Sequence, residues 1–229
     1  MDNIINDFRK FALDKTNIRA TVLDDKIKSA ENVMPFILEE RKMNVTQMDV
    51  FSRLLFDRII YFSGVVDDSS CDTIIAQLLY LSSTDDRDIN IYINSPGGSV
   101  VDGLGVIDTI NFINCDVSTT CVGMAASMGA VLLSCGARGK RMVLPHSRVM
   151  IHQVSSSMSG RSTDLEIEME QTIRCKKDLY EILSKNTGKT FEEIERDCKS
   201  NFWLIGQEAV DYGLADKVLI KEKHCDVIF

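Results

Sequence analysis

A serine, a histidine and a glycine-rich turn carry most of the chemistry that this sequence can offer. Ser127 lies in Gly123-Met-Ala-Ala-Ser-Met-Gly129, between the β-like run Ser118–Val122 and a helix-like run of small residues. A serine on a strand-to-helix turn is exposed at its tip, and free N–H groups at the helix start can receive a developing oxyanion. The α/β-hydrolase elbow has glycine two residues before its serine. Ala125 stands there, so this is a different turn. Taken alone, the same serine also fits a small packing residue or a helix cap.

A serine nucleophile needs a base, and the chain has three histidines. His224 lies in a charged tail, and His146 follows Pro145 in a turn-like stretch. His152 closes the apolar run Val149-Met-Ile-His152 and is followed by Gln153 and polar residues. The end of a strand, facing a loop, suits a catalytic side chain; it equally suits a hydrogen-bonded structural histidine. Asn94-Ser-Pro-Gly-Gly98 is the third element. Pro96 fixes φ, and the paired glycines let the backbone turn its N–H groups toward a substrate. Such a loop either completes an oxyanion hole, each donor worth roughly 3–4 kcal/mol, or is a simple turn.

The elements that must position these residues alternate along the chain. Asp57–Phe62 reads as a strand closed by Gly64, and Asp68–Ser83 as a helix with Ile74, Ile75, Leu78, Leu79 and Leu81 at helical spacing. Ile89–Ile93 is strand-like and is expected to stop at the Asn94–Gly98 turn. Val100–Ile113 reads as helix, Val117–Val122 as strand and Ala125–Cys135 as helix. This alternation predicts an α/β fold of stacked βαβ units with a mostly parallel sheet. Beyond the serine-rich stretch ending at Gly160, Thr163–Lys185 forms a long helical pattern with Leu165, Met169, Ile173, Leu179 and Leu183. Gly188 is a helix stop, and Thr190-Phe-Glu-Glu193 has the form of a capping box.

Composition narrows the classes. The 229 residues fit one α/β domain, and a formal charge of −8 without a basic run disfavours nucleic acid as a partner. Seven cysteines, none as C-x-x-C, read as reduced thiols and point to the cytosol. Their spacing with histidine fits no zinc pattern, and no apolar run approaches the ~18 residues of a membrane span. Residues 1–31 are charged and only weakly periodic, which fits a loosely ordered or removable extension as well as an ordinary helix.

Ile91-Tyr-Ile-Asn-Ser-Pro-Gly-Gly98, Gly123–Gly129 and Ser147-Arg-Val-Met-Ile-His-Gln153 closely resemble the ClpP family, the proteolytic subunits of Clp proteases. Phe51-Ser-Arg-Leu-Leu55, Ile194-Glu-Arg-Asp197 and Glu208-Ala-Val-Asp-Tyr-Gly-Leu214 extend the likeness from about residue 34 to 218. The resemblance implies a crotonase/ClpP-like fold over residues 32–220 with an extended handle helix, and a tail over 221–229. It implies two stacked seven-membered rings around a proteolytic chamber, and a hexameric AAA+ unfoldase that uses ATP while this chain needs no cofactor. By position, Ser127 is then the nucleophile, His152 the base, and the N–H groups of Gly98 and Met128 the oxyanion hole. Met34-Pro-Phe-Ile-Leu38 falls near the axial pore loops in the same scheme.

Two departures bear on activity. The family's triad aspartate aligns with Asn201, which can orient His152 but brings no full charge to an imidazolium; weaker hydrolysis is expected. Asp197 is a possible substitute. After Gln153 the family has proline and glycines, whereas this chain reads Val154-Ser-Ser-Ser-Met-Ser-Gly160, which changes a segment bordering the substrate groove. Asn201 also motivates a second reading, a weakly active or structural ring subunit. The shared fold supplies a third, an acyl-CoA enzyme whose glycine loops stabilise an enolate.

Overall fold

The computed structural model describes residues 36–41, 44–156 and 158–221. The expected extension over 1–31, Met34 and Pro35, and the tail beyond Lys221 lie outside the described residues. The chain divides into two units, up to Arg53 and from Leu54 onward. In the first, β1 (Phe36–Arg41) and β2 (Asn44–Asp49) form an antiparallel pair with Phe36 opposite Asp49. The Asp49 carboxylate accepts from Ser52 N–H at 2.9 Å, an acidic cap at the start of α1 (Val50–Phe56).

The second unit is the expected alternation: β3 (Ile59–Val66), α2 (Asp68–Thr84), β4 (Ile89–Gly98), α3 (Val100–Phe112), β5 (Val117–Ala126) and α4 (Met128–Ser134). Next come β6 (Arg141–Val143), β7 (Arg148–Ile151), α5 (Ser162–Thr187), α6 (Phe191–Asp197), β8 (Phe202–Ile205), α7 (Gln207–Tyr212) and β9 (Lys217–Val218). One sheet runs β3-β4-β5-β6-β9, with β7 pairing both β5 and β8. Every pairing in it is parallel except β7 with β8. The crotonase/ClpP-like reading of stacked βαβ units holds, and α5, with 26 residues, is the extended helix.

Local chemistry explains the boundaries. Asp67 and Ser70 close a capping box on α2, and Thr190 with Glu193 closes the predicted one on α6. Gly188 ends α5 at φ 80°, a left-handed position that suits glycine. Core residues recur as each period requires: Cys71, Ile74, Leu78 and Leu81 on α2, and Ile89, Ile91 and Ile93 on β4. In α5 only Leu179, Tyr180 and Leu183 are buried; Met169 and Ile173, expected on the same apolar stripe, are exposed. The buried Arg141 side chain pairs with Asp216 at 2.6 Å and donates to the Asn186 carbonyl at 2.9 Å, fastening β6 to the end of α5.

Three boundaries differ from the sequence reading. Neither Gly64 nor the Asn94–Gly98 turn ends its strand. The β3–β4 register shifts between Ser63 and Val65, then resumes with Val65 opposite Gly97 and Val66 opposite Gly98. Likewise β5 continues to Ala126, so Ala125 and Ala126 are strand and the helix begins only at Met128. The cause is a bulge: β4–β5 pairing slips after Ile93, Gly123 takes φ 100°, and Asn94 Oδ1 accepts from Met124 N–H at 3.2 Å. A bulge bends its strand and re-aims the residues beyond it. Here the residue re-aimed is Ser127.

Candidate active site

Ser127 occupies the single residue between β5 and α4, with φ 55° and ψ −123°. Its N–H donates to the Met150 carbonyl at 2.8 Å, which ties the turn to β7, the strand that ends just before His152. That bond also removes Ser127 N–H as a donor to substrate. Met128 N–H, at the first position of α4, is among the N–H groups that a helix start leaves without an intrahelical partner.

His152 follows β7 directly, half-buried like Ser127. Both line one recess of about 50 Å³, together with Gly98 and Met128. Four of the five predicted site residues therefore meet at one opening. Gly98 is the last residue of β4, at φ 154°, and a Cβ there would press on the Val66 carbonyl. Gly97 packs against the Ser127 turn: a Cβ would lie 2.6 Å from Ser127 Cβ and 2.9 Å from Met128 N.

Asn201, the fifth, precedes β8; it is exposed and does not line the recess. The ladder pairs Ile151 with Phe202, so His152 and Asn201 fall at the next opposing position. Among the described residues no hydrogen bond joins the side chains of Ser127, His152 and Asn201; catalytic hydrogen bonds often tighten only around substrate. Asp197 is engaged elsewhere. Burial alone would push its carboxyl up, but bonds from Arg196 at 3.0 Å and Tyr212 Oη at 2.9 Å hold it below the usual range.

The floor of the recess was not legible as part of a site. Val100, Val131, Leu179, Tyr180 and Leu183 make it apolar. Leu179 and Leu183 stood out in the sequence only as apolar positions four apart on a helix, which is also what a core helix shows.

The comparisons with known proteins agree with this geometry. A family model described as Clp protease matches residues 40–222. The chain belongs to the Clp protease family. It is 52% identical over 220 residues to the ATP-dependent Clp protease proteolytic subunit of Bacteroides fragilis (strain YCH46), covering 95% of this chain and all of the relative. The same-named protein of Porphyromonas gingivalis is 49% identical over 221 residues, 96% of this chain and all of that one. That of Bacteroides thetaiotaomicron is 52% identical over 220 residues, again 95% of this chain and all of the relative. Clp protease membership gives the chain the catalytic role of a serine protease, and the sheet and helices have the family's fold. It disfavours the acyl-CoA reading, and relatives named as proteolytic subunits favour an active protease over a purely structural subunit. Among the described residues, no helix is long and apolar enough to cross a membrane.

Proposed function

We propose that this chain cleaves peptides and unfolded proteins through an acyl-enzyme on Ser127. The observation that carries the reading is the recess shared by Ser127, His152, Gly98 and Met128. His152 takes the hydroxyl proton as Ser127 Oγ attacks the amide carbon, and returns it to the leaving amine. Water then repeats the sequence on the ester and frees the acid. Gly98 and Met128 N–H groups receive the oxyanion in both halves. Asn201 holds the imidazole by its amide oxygen. The apolar floor takes the side chain beside the scissile bond, and burying one apolar side chain there contributes about 1.5–3 kcal/mol to binding.

The working form is two stacked rings of seven subunits in the cytoplasm, with a hexameric Clp-type ATPase feeding unfolded chains inward. Exposed Ile167, Met169 and Ile173 on α5 support a contact between rings through that helix. The N-terminal apolar segment that includes Phe36–Leu38 belongs near the axial pore. ATP acts in the partner, and serine–histidine chemistry asks no cofactor of this chain. Short peptides enter unaided and folded proteins do not.

The test is hydrolysis of a short fluorogenic peptide by purified protein beside Ser127→Ala, with assembly followed by sizing. Activity abolished in the variant supports the reading. Equal activity in both proteins would overturn it.

A further inference from the structure

Ser95, within the proposed oxyanion loop Asn94–Gly98, is fully buried, with 0% of its surface exposed. Its hydroxyl donates to the Gly64 carbonyl at 2.6 Å and accepts from Gly97 N–H at 3.1 Å. Gly64 sits where the β3–β4 register slips. From the other side comes Gly129 of α4: a Cβ there would lie 3.1 Å from the Ser95 carbonyl oxygen and 3.3 Å from Ser95 Cβ. One hydroxyl thus joins the β3 irregularity to the glycine turn, while its residue packs on the helix that follows the nucleophile.

We propose that Ser95 is the positioning residue of the oxyanion hole, fixing the Gly97–Gly98 backbone so that Gly98 and Met128 N–H groups address the same oxygen. The proposal rests on the reading of Ser127 as nucleophile. Without the hydroxyl, Gly97 N–H and the Gly64 carbonyl lose a partner in a dry setting, and the segment must shift to recover one. Paired glycines offer little resistance to such a shift. Loss of a whole oxyanion donor lowers kcat about 10²–10³-fold, so displacing one is expected to lower it about ten- to a hundredfold. KM stays within about twofold, because an interaction made only in the transition state leaves ground-state binding alone.

The experiment compares inhibition of the full-length enzyme by a peptide aldehyde and by the matching peptide alcohol. With the aldehyde, the Ser127 Oγ–carbon bond forms, the carbonyl π pair moves to oxygen, and His152 accepts the hydroxyl proton. The resulting oxyanion sits in the hole; the alcohol binds without one. In Ser95→Ala the aldehyde-over-alcohol preference is expected to fall at least about tenfold, with alcohol binding within about twofold. Ser95→Cys fills the site with a weak donor and is expected to move the same way; it supplies the measurement should the alanine protein fail to fold. A preference retained in the variant, or aldehyde and alcohol weakened equally, overturns the proposal alone. A wild-type enzyme with no aldehyde preference would overturn the nucleophile reading with it.

Discussion

His152 and Asn201 stand at opposing positions one step beyond the last pair, Ile151 with Phe202, of the antiparallel β7–β8 ladder. Directly opposed residues on such a ladder bring their Cβ atoms to about 4.5–5.5 Å. The only antiparallel pairing of the described seven-stranded sheet therefore sets the proposed base against the residue proposed to orient it.

If Asn201 orients His152 without lending charge, Asn201→Asp is expected to raise kcat on a fluorogenic peptide about tenfold or more. The ceiling is the roughly 10⁴-fold that the reverse change costs a serine protease. Asn201→Ala is expected to fall below wild type. Steady-state kinetics of the three proteins decides, and three equal rates would remove Asn201 from the mechanism.

Gly97→Ala places a methyl group 2.6 Å from Ser127 Cβ and from the Ala126 carbonyl oxygen, at φ 90°. Either the turn or Ser127 must move. The expected result is a fall of about a hundredfold or more in kcat, as small misplacements at a reacting centre produce. Active-site labelling by a fluorophosphonate should slow in parallel.

Asp216 accepts from Gly139 N–H at 2.7 Å and from Arg141 through its backbone and guanidinium. Burial pushes the carboxyl up, but these bonds and the Arg141 charge outweigh it, so the folded-state pKa lies below the ordinary 3.8. A depressed carboxyl stabilises the fold above its unfolded pKa, and that contribution is lost as pH falls through the folded one. Asp216→Asn is expected to cost about 3 kcal/mol at pH 7. Urea unfolding should show that difference shrinking below about pH 4.

Among the described cysteines, Cys71, Cys115, Cys121 and Cys198 are buried and unpaired. Burial pushes the Cys121 thiol up to about 11 and that of Cys198 up to about 12. Thiolate is the reactive form. At pH 8 Cys121 and Cys198 are expected to ignore a disulfide reagent in native protein and to react on denaturation, read by mass spectrometry.

What the sequence disclosed was local. Gly123–Gly129 announces a turn and Val149–His152 a strand end by composition alone, and the capping box at Thr190 fixes a helix start from four residues. What it concealed depends on pairing. The slip after Ile93 leaves no mark in residue types, so β5 looked four residues too short and the helix three too early. Likewise β7 and β8 lie some fifty residues apart. Only their register turns Asn201 from an aligned letter into the residue opposite His152.

Ser127 keeps a backbone conformation that glycine adopts freely and other residues occupy at a cost of about 1–3 kcal/mol. Glycine at this position would relieve that cost and remove the proposed nucleophile in the same stroke. The Ser127→Gly protein is then expected to outlast the wild type on heating, so that selection for durability alone would strip this molecule of the hydroxyl on which its proposed chemistry depends.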